Sequence, residues 1–513
     1  MAVWKVEADY LEQVLPEYRN NPLIEALPDI MSDDDTIAAL TATPTYSEEE
    51  RNLDAKYRIH CLSRLLHDYY QPLPQHLDIE KRISVCMRQG YRNRNPAGKE
   101  YALMVNESYE AMKDGRYPRP IAGYHPHASG FTIIGVSGVG KSTAVESILS
   151  QYPQLIEHRE YHGKPLLLKQ MTWLKLDCPH DGSRTELCYR FFKSVDDVIG
   201  SDYLDQYKKS RTNIGAMLTL MQRIAQEYSL GLLVADEVQH LAQAKSGSDA
   251  MLNFFVTLVN TIGVPVILIG TSKALPILQG QFRQARRSSG HGDLIWNRMK
   301  KERTWMVFVE SIWKYQWIRN RVPLTTEMLD MIYQETQGII VLAVVLYVLL
   351  QEDAIITERE TFRAEDIRRV SKERMALVQP MLEALRNNDQ KSIDKYEDIT
   401  DILVDEVSSR LASYQEQDFP HSRKTAGTAA LARLRNEILP FFVRIHKPPE
   451  LVDRLIEQAY QKTKSTDAAV IMETVYNLLK KEEAGAGNEK KEHTDAKRAG
   501  HEEIARLVDD TQW

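Results

Sequence analysis

The segment GVSGVGKS at residues 135–142 has the spacing GxxxxGKS, which is typical of loops that bind phosphate groups. It follows the apolar run FTII and precedes the helix-like run TAVESILSQY, so it joins a strand to a helix. In such a loop, backbone N–H groups and the start of the helix face a phosphate. We predict that Lys141 bridges the β- and γ-phosphates of ATP and that Ser142 binds Mg²⁺. The predicted nucleotide contacts are Gly135, Val136, Ser137, Gly138, Val139, Gly140, Lys141, Ser142 and Thr143.

A second run, LLVADE at Leu232–Glu237, ends in two acidic residues. A buried strand would deliver Asp236 to the carboxyl edge of a sheet, where ligands bind in open α/β folds. We predict that Asp236 supports Mg²⁺ and that Glu237 deprotonates the attacking water. The alternative is a strand followed by an acidic turn. The phosphate loop favours the catalytic interpretation.

The next apolar run, VILIGTS at Val266–Ser272, ends in two hydroxyl residues. Either Thr271 or Ser272 is a candidate to hydrogen-bond the γ-phosphate or the attacking water. A plain turn hydroxyl is the alternative, and the neighbouring motifs lead us to favour Thr271.

Three arginines in QFRQARR, at Gln281–Arg287, precede the last predicted strand. An arginine there is a candidate to reach the nucleotide of a neighbouring subunit and stabilise the transferring phosphate. A solvated basic helix end is the alternative. The spacing does not choose securely among Arg283, Arg286 and Arg287, and we take the last two as candidates.

The net charge of −7 means that any binding to a polyanion must come from local basic patches. One such cluster is Lys208-Lys209-Ser210-Arg211, and another is Arg298–Arg303. Either is suited to contact a phosphate backbone without reading base sequence. A solvated charged face is the alternative for each.

The composition is that of an ordinary globular protein, with 43% hydrophobic and 27% charged residues in 513. The first residues, MAVWKVEADYLEQ, do not resemble a secretory signal. The most apolar stretch, Ile339–Leu350, is too short to span a bilayer and suits a buried helix. The cysteines lack CxxC pairs and fit a reducing interior; they are Cys61, Cys86, Cys178 and Cys188. We expect a soluble, cytoplasmic protein.

Short apolar runs alternate with longer helical patterns between residues 121 and 311, which predicts an α/β fold with a parallel sheet. The predicted strands are Phe131–Ile134, Met171–Leu176, Leu232–Ala235, Val266–Ile269 and Trp305–Val309. We expect five regions: an N-terminal extension at 1–120, an ATPase core at 121–311, a helical lid at 312–385, a C-terminal helical region at 386–480, and a flexible tail at 481–513.

Several segments together resemble TnsC, the AAA+ regulator of cut-and-paste transposons that have a heteromeric transposase and a target selector. The resemblance covers about residues 18–390. It rests on GVSGVGKST, LKLDCPHDGS, GLLVADEVQHLAQAKSG, MLNFFVTLVNTIGVPVILIGTSKA and FRQARR, and the segments NNPLIEALP, QPLPQHLDIEKRISVCMRQGY and VQPMLEALR also resemble that family. The last hundred or so residues are much less similar. The run from DEVQHL to MLNFFVTLVN is the specific part, since many ATPases share the phosphate-loop motifs.

The resemblance implies an AAA+ ATPase with ATP and Mg²⁺ as cofactors, which forms rings or filaments around double-stranded DNA. It also implies that the protein links a target selector of the TniQ or TnsD type, bound by the N-terminal extension, to transposase subunits of the TnsA and TnsB type. The corresponding DNA-channel residues are Arg184, Lys208, Lys209 and Arg211. One departure is that residues 337–340, QGII, lack the lid arginine that many AAA+ proteins carry. We therefore expect slow or assembly-dependent hydrolysis.

Two other functions are compatible with the motifs. A signalling scaffold ATPase that binds proteins and no DNA is favoured by the acidic net charge. A small-molecule kinase fits less well, because long helical extensions flank the core. The tail carries a short apolar cluster, Ile504, Leu507 and Trp513, after a polar segment. We predict that it docks on a transposase subunit, and a frayed end is the alternative.

Overall fold

The computed structural model describes residues 3–92, 94–99, 130–209, 213–243, 264–275, 292–393, 399–414 and most of 447–485, with isolated positions in 101–113 and 434–442. The strands are β1 Lys5–Glu7, β2 Phe131–Gly135, β3 Leu155–Tyr161, β4 Lys164–Met171, β5 Trp173–Asp177, β6 Leu232–Asp236, β7 Val266–Gly270 and β8 Asp293–Trp296. The helices before the lid are α1 Pro22–Glu25, α2 Asp33–Leu40, α3 Ala55–His67, α4 Pro74–Arg92, α5 Lys141–Leu149, α6 Arg184–Ile199, α7 Tyr203–Lys209 and α8 Ile214–Glu227. Those that follow are α9 Arg303–Trp313, α10 Thr326–Thr336, α11 Ile340–Ile356, α12 Ala364–Arg374, α13 Gln379–Arg386, α14 Gln390–Ile393, α15 Ile399–Ser413, α16 Pro449–Thr463 and α17 Ala468–Gly485.

The central sheet has five parallel strands in the order β5-β6-β7-β2-β8. The chain order differs from the spatial order, so helical crossovers connect the strands. All five strands point the same way, which puts the ends of β2, β6 and β7 at one edge. The predicted parallel α/β core is confirmed.

Both faces of the sheet are covered, because successive side chains of a strand point to opposite sides. Leu233 of β6 and Leu268 of β7 join an apolar cluster with helices α6 and α8. Val234 and Ile267, their neighbours in the chain, join a second cluster with helices α1, α4 and α5. Short, fully apolar strands are therefore what this architecture requires.

The prediction of a strand at Trp305–Val309 is wrong, because these residues belong to helix α9. Trp305, Phe308 and Val309 are buried, whereas Met306 and Val307 are 39% and 47% exposed. Buried residues at positions i, i+3 and i+4 are typical of a helix. The sequence hid this spacing because the exposed residues between them are also mostly apolar. The fifth strand is instead β8, a short edge strand in which buried and exposed residues alternate. The predicted strand at 171–176 is divided between the end of β4 and β5.

The N-terminal segment packs on the core. Strand β1 pairs in parallel with β3, which forms a hairpin with β4, so a small second sheet results. The Tyr91 hydroxyl donates to the Ser229 carbonyl at 2.9 Å, and Arg94 Nη1 donates to the Leu230 carbonyl at 2.6 Å. Both contacts hold the end of the extension against the connection between α8 and β6.

The N-terminal segment also packs on the lid. The Arg58 guanidinium makes two 2.6 Å hydrogen bonds to the Glu360 carboxylate, and it is almost fully buried. Helix α11 is buried over Leu342–Ile355, so the expected buried helix is confirmed. The predicted core–lid boundary at 311/312 falls within helix α9.

The chain forms two compact units, Met1–Ala412 and Ser413–Trp513. Within the second unit, helices α16 and α17 pack around a core that includes Val452, Ile456 and Val475. Helix α17 continues to Gly485, past the predicted start of the tail, because its last residues, KKEEAG, are mostly good helix formers. Ile504, Leu507 and Trp513 lie outside the described residues.

Candidate functional site

The phosphate loop leads from the end of β2 into helix α5. Gly138 and Gly140 have φ values of 77° and 95°, in the left-handed region where glycine carries no steric penalty. Gly140 is the N-cap of α5, so the first N–H groups of the helix lie within the loop. Lys141 Nζ donates to the Val136 carbonyl at 3.0 Å across the loop. Such an arrangement of backbone N–H groups at a helix start is suited to bind phosphate.

The end of strand β6 presents Asp236 beside a lysine. Lys175 Nζ of β5 lies 3.2 Å from Asp236 Oδ2, 2.8 Å from Asp177 Oδ1 and 2.9 Å from Glu146 Oε1. Burial opposes the charged form of Lys175, but the attraction of Asp236 and hydrogen bonds to Asp177 and Glu146 outweigh it and raise its pKa. Lys175 therefore stays protonated and balances the acidic cluster.

Glu237 follows with a left-handed backbone, φ 56°, which is unusual for a residue with a side chain. Its N–H donates to Asp236 Oδ1 at 2.8 Å. Gln239 Nε2 donates to Glu237 Oε2, and Gln239 Oε1 accepts from the Thr271 N–H at 3.1 Å. The candidate base and the candidate phosphate sensor are thus joined through one buried amide.

The donor set fits Mg²⁺, which prefers oxygen ligands and binds through one or two carboxylates plus substrate phosphates. Ser142 lies four residues before Glu146, so the two share one face of helix α5. Lys175 contacts both Glu146 and Asp236, which places this face near Asp236. Among the described residues there is no group of three or more His, Cys, Asp or Glu side chains that would hold a metal alone. Ser142 and Asp236 would hold Mg²⁺ together with the nucleotide.

Next to the loop lies a cavity of about 440 Å³. Its walls come from the N-terminal segment, from the phosphate loop and helix α9 of the core, from lid helix α11 and from helix α15. Its lining includes Tyr69, Tyr70, His76, Val139, Gly140, Thr143, Ile340, Val341, Asp401, Val404 and Asp405. A nucleoside beside the phosphate loop would enter this space.

Helix α15 contacts the phosphate loop directly. Thr400 Oγ1 lies 3.1 Å from Ser137 Oγ. A Cβ added to Gly138 would lie 2.9 Å from the Thr400 methyl group, so only glycine fits there. At its other end, Arg410 makes hydrogen bonds of 3.0 and 2.8 Å to the fully buried Glu352 of α11. Helix α15 therefore bridges the loop and the lid.

The structure brings Lys141, Asp236, Glu237 and Thr271 to one edge of the sheet. Residues 337–340 have no arginine; Gln337 Oε1 accepts from Arg298 Nη1 at 2.7 Å. The candidate finger residues Arg283, Arg286 and Arg287 lie outside the described residues.

Two of the predicted DNA contacts have described side chains. Arg184 opens α6, and Lys208 Nζ of α7 lies 5.9 Å from the centre of the Tyr189 ring of α6. They are thus carried by packed neighbouring helices. Lys209 ends α7, but its side chain is not among those described, and Arg211 lies outside the described residues.

Sequence reasoning missed Lys175, Gln239, Thr400 and His76. Two of these had a local signal in the sequence. Lys175 is a charged residue within the apolar strand WLKLD, and Gln239 directly follows ADEV. Thr400 and His76 reach the site only through tertiary packing, and no local pattern marks them.

A family model described as an AAA domain matches residues 125–278, the segment that holds the phosphate loop, Asp236 and Thr271. Together with the sheet and the flanking helices, this match defines the chain's core as an AAA+ P-loop fold with helical extensions at both ends. Among curated proteins, nothing matches the chain.

Several solved structures are distantly similar. The Walker-type ATPase of Pyrococcus abyssi is 13% identical, with 56% of this chain and 76% of that chain covered and a TM-score of 0.32. The ORC1 protein of Aeropyrum pernix, solved in complex with DNA, is 15% identical, with 62% and 71% covered and a TM-score of 0.35. Cdc6p from Pyrobaculum aerophilum is 14% identical, with 69% and 87% covered and a TM-score of 0.39. Likeness at this level says nothing about substrate or partner.

No helix in the described part of the chain has both the length and the hydropathy needed to cross a membrane.

Proposed function

We propose that this AAA+ ATPase is a regulator of DNA transposition of the TnsC type. In this proposal it oligomerises on double-stranded DNA with ATP and Mg²⁺. It links a target selector of the TniQ or TnsD type to transposase subunits of the TnsA and TnsB type. The sequence resemblance over about residues 18–390 supports the assignment, and the nucleotide site supports the ATP dependence.

The observation that best supports a regulatory role is that several separate segments of the chain line the cavity beside the phosphate loop. The N-terminal segment, the core, lid helix α11 and helix α15 each supply part of its wall. A ligand that contacts four parts of the chain stabilises one arrangement of them over others. Bound ATP is therefore suited to hold the chain in the state that assembles.

The geometry of the sheet edge supports the proposed hydrolytic roles. Lys141 would neutralise the β- and γ-phosphates, and Ser142 and Asp236 would hold Mg²⁺, which would supply Lewis-acid stabilisation of the phosphate charge. Glu237 takes the proton of the attacking water, and Thr271 contacts the γ-phosphate or that water. Arg286 or Arg287 of a neighbouring subunit is our candidate for the transition-state contact.

The proposed DNA surface consists of Arg184, Lys208, Lys209 and Arg211. Contacts to phosphates give affinity without sequence preference and weaken with salt. We expect ATP with Mg²⁺ to increase binding to random duplex DNA, measured by fluorescence anisotropy. Neutralising Lys208, Lys209 and Arg211 should weaken it and reduce its salt dependence, whereas Lys164→Gln, an exposed change in strand β4, should not. Lys141→Ala should abolish the effect of ATP.

The competing function is an ATPase scaffold that binds proteins and no DNA, which the net charge of −7 favours. DNA binding that ignores ATP would contradict the proposed gating. Absence of binding at low salt with ATP would favour the scaffold.

The tail is our candidate for the transposase contact, because Ile504, Leu507 and Trp513 follow a polar segment that has no apolar residue larger than alanine. Deleting residues 495–513 should reduce transposase recruitment in a pull-down on DNA while leaving ATP hydrolysis unchanged. Undiminished recruitment by the deletion variant would reject this role.

A further inference from the structure

Gln239 lies two residues after Glu237, in the short helical turn Val238–Gln243, and it is 1% exposed. Its side-chain amide makes two hydrogen bonds to functional positions. Nε2 donates to Glu237 Oε2, and Oε1 accepts from the backbone N–H of Thr271 at 3.1 Å. The amide therefore spans the ends of the neighbouring strands β6 and β7.

The end of strand β7 is shaped to let this amide approach. A Cβ added to Gly270 would lie 2.9 Å from Gln239 Oε1 and 2.8 Å from Val238 Cγ2. Both separations are shorter than real Cβ contacts allow. A side chain at position 270 would therefore displace the Gln239 amide and the Val238 side chain, and glycine leaves room for the bridge.

Glu237 depends on such support, because its backbone lies in the left-handed region at φ 56°. Residues with side chains persist there only when their surroundings fix them. The Asp236 carboxylate holds the Glu237 N–H at 2.8 Å, and Gln239 holds the far end of the side chain. His240 Nε2 lies 3.9 Å from Glu237 Oε2.

We propose that Gln239 is the positioning residue for water activation by Glu237. By holding Oε2, its amide fixes the rotation of the carboxylate and so the direction of Oε1. One planar amide makes both bonds, so a shift of the Thr271 backbone on contact with the γ-phosphate moves the Glu237 carboxylate as well. The inference rests on the proposed role of Glu237 as the base, and it adds the means by which that base responds to the nucleotide.

Two substitutions separate positioning from simple packing. Gln239→Glu keeps an acceptor for the Thr271 N–H but turns a carboxylate toward Glu237 in place of a donor. Gln239→Met keeps the volume and removes both bonds. Gln334→Met, at an exposed position of helix α10, is the matched control for glutamine-to-methionine replacement.

The measurements are steady-state ATP hydrolysis with duplex DNA, affinity for a fluorescent ATP analogue, and melting temperature. We expect both Gln239 variants to bind the analogue within about twofold of the parent. Their kcat should fall by roughly tenfold or more with KM little changed, because only orientation in the reacting state is lost. A glutamine that merely fills space would leave kcat in Gln239→Glu close to that of the parent.

Combination with Glu237→Gln tests the connection. If Gln239 acts through Glu237, then Gln239→Met should cause no further loss in the Glu237→Gln background. Parent-like kcat in both Gln239 variants, with Glu237→Gln slow, would overturn the positioning role and leave the base assignment intact. Loss of nucleotide binding in both Gln239 variants would also overturn it. Parent-like turnover by Glu237→Gln would remove the base assignment itself, whatever the DNA-binding result.

Discussion

At the scale of single residues, His76, which lines the cavity beside the phosphate loop, should make the stability of the protein depend on pH. The His76 ring packs edge-on against Tyr70 and Trp296, and its Nδ1 accepts from the Leu73 N–H at 2.8 Å. Burial lowers its pKa from 6.5 to about 4, against the opposing effect of the Leu73 backbone. Because the unfolded chain binds this proton more tightly, stability is lost as the pH falls from about 6.5 toward 4.

We predict that His76 makes the protein less stable at pH 5 than at pH 7 by about 2 kcal/mol, from a difference of roughly 2.5 pKa units. His76→Asn keeps an acceptor for the Leu73 N–H and does not titrate, so its loss of stability between these pH values should be smaller by that amount. Urea unfolding at both pH values measures the difference. His60→Asn, an exposed change, is the control; an unaltered pH dependence in His76→Asn would refute the prediction.

The predictability of the site differs from residue to residue for a physical reason. Lys141, Asp236 and Glu237 could be inferred because each works at a strand end or helix start, which a local pattern marks. His76 and Thr400 could not, since they come to the cavity from distant segments through packing. Gln239 lies between these cases: it is adjacent to the acidic pair, but its bond to Thr271 needs the neighbouring strand.

At the scale of elements, the sheet was predictable where strands are central and apolar on both faces, as in LLVAD and VILIG. It was not where an edge strand is short and half exposed, as at Asp293–Trp296. A continuous apolar run such as Trp305–Val309 fits the repeat of a helix as well as that of a strand, and the strand prediction was wrong there. Helix α15 had no sequence signal for its contact with the phosphate loop.

Helix α15 yields the prediction at this scale. Glu352 is fully buried and paired with Arg374 and Arg410, so Arg410 anchors α15 to lid helix α11. Arg410→Met should weaken this docking by about 1–3 kcal/mol, because charge-assisted hydrogen bonds to a buried carboxylate are lost. We expect amide hydrogen exchange in α15 to accelerate by about tenfold or more.

The matched control for this change is Glu406→Gln, at an exposed position of the same helix. It removes a charge without touching Glu352, so exchange in α15 should stay close to that of the parent. Equal protection of α15 in the parent and in Arg410→Met would show that apolar contacts of Leu403, Val407 and Leu411 alone hold the helix.

At the scale of the whole molecule, the proposed binding of DNA by an acidic chain requires a way to concentrate its basic groups. Assembly supplies one, because repeated subunits align the same small patch along the duplex, and affinity then rises with the number of subunits engaged. In the proposed function, the nucleotide joins several parts of each chain and so controls whether subunits take the assembling form. Hydrolysis, on this view, ends the assembly rather than driving chemistry on a substrate.

This view predicts the behaviour of Glu237→Gln on DNA. The variant keeps Lys141, Ser142 and Asp236, so it should bind ATP and Mg²⁺ like the parent, but it lacks the base and should turn over roughly a hundredfold more slowly or worse. Its assemblies on duplex DNA should therefore outlast those of the parent by a comparable factor. Dissociation into excess competitor DNA, after removal of free ATP, measures the lifetime. Lys141→Ala should form no such assembly, and release of DNA by Glu237→Gln at the parent rate would show that hydrolysis does not time the complex.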